Sequence, residues 1–175
     1  MSGIMLFASK TISQTAKAVL LHFSALVLVA GCALAQELKV QTEDGATKTL
    51  SAVDLAALPH RVLEVKDPHD GKPLKFDAIP LKAVLEKAGV PLGDSLRGKR
   101  MASCLLVQAA DGYSAVIALA EIERAFTSGE VFLADGRDHK PLDAKEGPFR
   151  IVIPGDKKMA RWVRQVTTLK IVAVQ

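Results

Sequence analysis

Four cations fall within eight residues near the end of the chain: Lys157, Lys158, Arg161 and Arg164, with the only tryptophan, Trp162, set among them. Arg150 stands just upstream, before the apolar run Ile151-Val-Ile153. Arginine presents a rigid fork of donors that grips two oxygens of a phosphate or carboxylate at once, and lysine adds a mobile point charge. These residue types at this density suit the binding of a small anion. They suit equally a solvated cationic face, with Arg150 in a structural ion pair with Asp111 or Glu146. If the group binds, alanine at Arg150, Lys157 and Arg161 removes anion binding and leaves the unfolding midpoint nearly unchanged. Trp162 reads as core rather than as a stacking platform.

Other residues offer less. Asp67, His69 and Asp70 could hold a cation through one nitrogen and two oxygens, but Asp67-Pro-His-Asp-Gly71 is also a good turn. His60 follows Pro59 and reads as a capping or surface residue, and His139 as a solvated loop residue. Asp111 and Tyr113 are pocket candidates, set against turn geometry for the first and a half-buried strand start for the second. Cys104 lies in an apolar run and reads as a small buried residue. No catalytic group and no metal ligand stands out.

These residues need a scaffold of strands. Leu38 to Thr42 alternates as a half-buried strand does and turns at Asp44-Gly45. Ser51-x-x-Asp54 opens a short capped helix that stops at Pro59. Val62 to Val65 is a second strand, and Leu74 to Phe76 leads out of the turn after it. Pro80, then Leu81, Val84, Leu85 and Ala88 on one face, with Gly89 as a stop, predict the clearest helix. Gly93 to Lys99 reads as loop. Met101 to Ala109 and Tyr113 to Leu119 read as strands joined at Asp111-Gly112. Ala120 to Phe126 predicts two helical turns with Ile122 and Phe126 inward. Val131 to Ala134 is another strand, ended by a turn at Ala134-Asp-Gly136. Gly147-Pro148 and Pro154-Gly155 bracket the strand Ile151 to Ile153, and Val166 to Val174 closes the chain.

The first 35 residues read as a signal peptide. Lys10 and Lys17 form a positive start, Ala18 to Ala30 an apolar stretch, and Ala33-Leu-Ala35 a cleavage site. Val29-Ala-Gly-Cys32 also resembles a lipobox, which would make the protein a membrane-anchored lipoprotein through Cys32. Either way export to the periplasm or beyond is expected. Removing 35 of 175 residues leaves 140, enough for one domain over 36–175. It also removes two lysines and no acid, so the net charge falls from +4 to +2. No arginine-rich run or aromatic-basic interleaving points to nucleic acid. Cys104 is then the only cysteine, which rules out an intramolecular disulfide.

The series Asp111-Gly-Tyr113, Ala134-Asp-Gly136, Pro141-Leu142, Gly147-Pro-Phe-Arg-Ile-Val-Ile-Pro-Gly-Asp156 and Arg161-Trp-Val163 resembles the small exported members of the oxidoreductase molybdopterin-binding domain family. The resemblance runs from about Leu50 to Val172. It implies a single-domain, strand-rich α+β fold of the sulfite oxidase type and a molybdopterin cofactor. In the family the segment after the proline-glycine corner approaches the pterin and its phosphate, which gives Arg150, Lys157, Lys158 and Arg161 an anion-binding or cofactor-binding role. The family also places a cysteine thiolate on the metal, before the helix that begins near Pro80. Val65-Lys66-Asp67 stands there instead. The leader carries no arginine, whereas cofactor-loaded relatives leave the cytoplasm by the twin-arginine route. The expectation is therefore an exported binding module for a small anionic ligand or a protein partner. The alternatives are a working molybdopterin-dependent oxidoreductase and an accessory lipoprotein of a periplasmic redox complex.

Overall fold

The computed structural model describes residues 36–67 and 70–173. The expected signal peptide over 1–35, Cys32 within it, and His69 lie outside the described residues. Ten strands and three short helices are found among the described residues, in two five-stranded sheets, a mixed α+β single domain as expected.

The first sheet has the order β2-β1-β10-β5-β6. β1 (Glu37–Gln41) turns through Asp44 and Gly45 into β2 (Thr47–Ser51), with Gly45 at φ 86°. Leu38 and Val40 are fully buried while Glu37 and Lys39 face out, the period of two that the sequence shows. β10 (Val166–Val172) runs parallel to β1 and antiparallel to β5 (Cys104–Ala109). The Asp111-Gly112 turn joins β5 to the edge strand β6 (Ser114–Ala118), as predicted. The buried strand starts at Cys104 rather than Met101, because Gly98–Ala102 coils into a 3-10 turn that leaves Met101 exposed. Cys104 is half-buried, less enclosed than its apolar run suggests.

The second sheet has the order β3-β4-β7-β8, with β9 also on β7. β3 (Arg61–Lys66) pairs with β4 (Pro73–Pro80), and β4 with β7 (Phe132–Arg137). The predicted turn at Asp135-Gly136 is absent, for β7 runs straight through it. The reversal into β8 (Lys140–Pro141) falls at Asp138-His139, both with positive φ, at 51° and 59°. Asp135 is a bulged extra residue, since Asp77 pairs with Gly136 and Ala78 with Ala134. Gly136 is required by close approach: a Cβ there would meet the Lys140 carbonyl at 3.0 Å and Asp77 Oδ2 at 3.1 Å. β9 (Arg150–Val152) is fully buried and ends at Pro154-Gly155.

The helices follow their local signals. α1 (Ala52–Ala56) carries the full capping box: Ser51 Oγ accepts from Asp54 N at 3.2 Å, and Asp54 Oδ2 accepts from Ser51 N at 3.1 Å. α2 (Leu81–Lys87) buries Leu81, Val84 and Leu85 completely, each contributing roughly 1.5–3 kcal/mol. α3 is only Leu119–Ile122, and Phe126 is half exposed rather than core. Glu123 ends the helix because its carboxylate turns inward, to Lys82 Nζ at 2.9 Å and Gly93 N at 2.9 Å. One cluster of buried side chains, drawn from both sheets, includes Phe76, Phe149 and Trp162.

The bulge at Asp135 also holds His60. Its Nε2 lies 3.0 Å from Asp135 Oδ2 and its Nδ1 3.0 Å from the Leu58 carbonyl, two acceptors that suit a doubly protonated ring. Partial burial alone would lower the His60 pKa, but Asp135 and Leu58 outweigh it, so the pKa is raised. Whatever stability the pair gives is present below the ordinary histidine pKa and lost as pH rises through the raised one. Titration of the His60 ring protons by NMR is expected to give an elevated pKa in the native protein and to fall back in Asp135→Asn.

Candidate functional site

The loop from Pro154 to Arg164 and the ends of β3, β4 and β7 enclose a cleft of about 710 Å³. Its floor is two arginines on one carboxylate. Arg150 Nη1 donates to Glu146 Oε1 at 2.6 Å, and Arg137 Nη2 reaches the same oxygen at 3.1 Å. Arg150 sits on β9, a strand buried at every position, and is only 5% exposed. Its Nη2 meets the Met159 sulfur at 3.6 Å, and its guanidinium lies over the Phe76 and Trp162 rings at 5.5 and 5.7 Å. Arg137 also lies over the Phe76 ring, with its guanidinium carbon 4.7 Å from the centroid. The Nε atoms of both arginines are buried without a partner.

Glu146 is aimed by the chain around it. Asp143 closes a tight turn, its Oδ1 accepting from Lys145 N at 2.8 Å and Glu146 N at 3.1 Å. The Glu146 carbonyl then takes Gln165 N at 2.8 Å, which ties the turn to the start of β10. Gly147 allows this, because a Cβ there would meet the Asp143 and Leu142 carbonyls at 3.1 Å.

Two guanidiniums thus share one carboxylate, and Lys157, Lys158 and Arg164 line the cleft above them. Asp67 is the other carboxylate on the wall. Burial first, then the neighbouring charges of Arg137 and Arg164, push the Arg150 pKa down, against the pull of Glu146. A buried cation so placed is under-compensated, and an anion entering the cleft would supply the missing charge. Apolar wall comes from Leu74, Met159 and Trp162. The volume lies within the range of small-molecule sites.

The structure brings Arg150, Lys157 and Lys158 together on the cleft, and adds Arg137, which sequence reasoning missed. Nothing local singles out Arg137. It faces Arg150 only because β7 pairs with both β4 and β9. Arg161 points elsewhere: its Nε and Nη2 grip Asp156 at 3.1 and 2.7 Å, and its Nη1 reaches Glu121 at 2.8 Å. These bonds raise its pKa further above the ordinary arginine value, Asp156 first and Glu121 second. Arg150 does pair with Glu146, as one of the two expected partners. A buried, paired arginine also contributes to the fold, so its truncation to alanine is expected to lower the unfolding midpoint, in place of the nearly unchanged midpoint expected of a purely ligand-binding group. Trp162 is core, 3% exposed, with Nε1 donating to the Ile153 carbonyl at 3.1 Å.

Asp111 and Tyr113 border a smaller hollow of about 170 Å³ that shares Met159, Trp162 and Arg164 with the cleft. Asp111 Oδ1 accepts from Tyr113 N at 2.9 Å, the turn contact. The Tyr113 hydroxyl donates to the Ala160 carbonyl at 2.6 Å. Asp70 accepts from Lys72 N at 3.0 Å and pairs with Lys72 Nζ at 2.7 Å, as a turn residue does. His139 pairs with Asp77 at 2.9 Å. Among the described residues no group of three or more His, Cys, Asp or Glu side chains is placed to hold a metal ion.

Asp67 ends the stretch Val65–Asp67 where the resemblance places the metal-binding cysteine, and it is on the cleft wall. Cys104 begins β5, and it is past the other end of that strand, Ala109, that Ala110 N donates to the Gln165 carbonyl and Gln165 N to the Glu146 carbonyl. Along the strand that separation is roughly 17 Å. The cations fit the phosphate of a pterin cofactor. No thiolate is among the described residues that line the cleft, so this donor set does not fit the usual sulfur anchor of molybdenum.

The profile of the oxidoreductase molybdopterin-binding domain family matches residues 72–174. Among solved structures, the sulfane dehydrogenase SoxCD from Paracoccus pantotrophus is similar, with a TM-score of 0.59 and 17% identity over 78% of this chain. The match spans 38% of that chain, and at this identity it shows the fold alone. No curated protein sequence matches the chain.

Proposed function

Because this chain belongs to the oxidoreductase molybdopterin-binding domain family, with its sulfite oxidase-type fold, we propose that its basic cleft binds a small anionic ligand and that it acts as an exported binding module. The observation that carries this reading is the buried Arg150, which shares the single carboxylate of Glu146 with Arg137. Lys157, Lys158 and Arg164 extend the positive charge to solvent and would draw an anion in. The lysine-bearing leader without arginine supports export in the unfolded state. Attachment to the membrane belongs to this reading only if Cys32 is lipidated, and a protein partner is a second form that the ligand could take.

Membership of the family favours a second reading, a molybdopterin-dependent oxidoreductase. It requires a metal ligand other than cysteine, and Asp67 is one oxygen donor on the cleft wall. When bound, that cofactor supplies two-electron redox chemistry. In this chain the cations would hold its phosphate, and the low exposure of Arg150 would keep that contact dry.

One preparation separates the readings: the full chain, expressed in a bacterial host that makes the cofactor and recovered from the periplasm. Metal analysis is expected to give no molybdenum, and calorimetry with inorganic pyrophosphate is expected to give binding that weakens with salt. Stoichiometric molybdenum would instead establish the oxidoreductase. Intact mass on the same sample reads the N-terminus, Gln36 or a diacylated Cys32.

A further inference from the structure

The segment Asp156–Arg164 carries three of the cleft's five cations, Lys157, Lys158 and Arg164, and all three are exposed. Its position is set from outside the cleft. Arg161 lies in the short 3-10 turn Met159–Arg161 and spends its whole fork on two carboxylates. The bidentate grip on Asp156 closes the segment on itself, at 3.1 and 2.7 Å, with Lys157 and Lys158 held in the loop between them. The third bond, to Glu121 Oε2 at 2.8 Å, ties the closed loop to α3. Glu121 is itself fixed, because its Oε1 accepts from Ala118 N at 3.2 Å as the cap of that helix. On the opposite side the Tyr113 hydroxyl holds the Ala160 carbonyl.

We infer that Glu121, which does not line the cleft, is a positioning residue for anion binding: with Arg161 and Asp156 it forms a clasp that holds Lys157 and Lys158 over the cleft. The inference rests on the anion-binding reading. It gives Arg161 a different part from its neighbours, as the clasp's centre rather than as a ligand. It also predicts an effect of unusual sign. Removing a negative charge near a basic site ordinarily strengthens anion binding through the general field. Glu121→Gln removes one, keeps an oxygen for the Ala118 cap, and presents Arg161 with an amide in place of a carboxylate. If the clasp matters, binding weakens despite the favourable change in charge.

The experiment is calorimetry with inorganic pyrophosphate on the full chain. Glu121→Gln and Asp156→Asn are expected to raise Kd about fivefold or more, and Tyr113→Phe, which alters no charge, to raise it in the same sense. In a Lys157→Ala, Lys158→Ala background the effect of Glu121→Gln should vanish, because the clasp acts through those two residues. Hydrogen exchange of the 156–161 amides should quicken in Glu121→Gln while β5 and β10 amides keep their protection. A wild type that binds, with Glu121→Gln binding equally or more tightly, overturns the clasp and leaves the anion reading standing. An effect that persists undiminished in the double-lysine background overturns it too, since Glu121 would then act by another route. A wild type that does not bind pyrophosphate overturns the anion reading and the clasp with it.

Discussion

Arg150→Met is expected to weaken pyrophosphate binding by about 10- to 100-fold, the loss of roughly 1.5–3 kcal/mol carried by hydrogen bonds to a charged group. Methionine fills much of the space between Phe76 and Trp162 and needs no countercharge. Glu146 keeps Arg137 as a partner after the change. The unfolding free energy in urea should therefore shift by only about 1 kcal/mol, in either direction, since a well-packed apolar replacement of a buried ion is often neutral. Arg150→Ala should behave differently, because it adds a cavity beneath the aromatic rings and costs about 2–4 kcal/mol. Glu146→Gln is the third arm. It leaves two guanidiniums facing each other without a carboxylate, and a loss of about 3 kcal/mol or more is expected. Unchanged pyrophosphate binding in Arg150→Met would remove the cleft floor from the anion site.

Glu123→Ala should cost about 2–4 kcal/mol by urea unfolding, a large effect for a residue that does not line the cleft. The carboxylate is 5% exposed on its side chain and joins three separate pieces of chain: α2 through Lys82, the turn at Gly93 through its N–H, and the end of α3. Removing it leaves both donors without their acceptor. Glu123→Gln should cost less, about 1–3 kcal/mol, as its amide oxygen can serve one of the two donors. The Lys82 hydrogen bond holds the Glu123 pKa below the usual carboxylate range, against the opposing effect of burial. A depressed folded pKa contributes stability above the unfolded value, about 4.3, and loses it as pH falls through the folded one. The unfolding midpoint of the wild type should then drop on acidification below about pH 4.5 more steeply than that of Glu123→Gln. Parallel curves for the two proteins would show that Glu123 carries no such linkage.

Much of this molecule can be read from local pattern. The alternation of Leu38 and Val40, the capping box of Ser51 and Asp54, the apolar face Leu81, Val84 and Leu85, and the Asp111-Gly112 hairpin all appear where the residues place them. Each depends on neighbours within a few positions, so the information is present in the local sequence. The misreadings share a different cause. Asp135-Gly136 has turn chemistry, but β4 and β8 close on either side of Gly136 and make it a strand position that needs a missing side chain. Ala120 to Phe126 has helical spacing, but the distant Lys82 and Gly93 draw Glu123 inward and end the helix after one turn.

The candidate site divides along the same line. Sequence alone determined the family and its strand-rich α+β fold through an ordered series of motifs, and the concentration of cations after the Pro154-Gly155 corner, because each of these is written in short contiguous runs of the chain. Only the tertiary structure decided what each cation does. Arg137 joins the cleft because β7 lies between β4 and β9, Arg150 is buried because β9 is, and Arg161 turns away because Asp156 and Glu121 both face it. A guanidinium has the same charge in all three places, and its role is fixed by the carboxylates and the amount of water that the fold leaves around it.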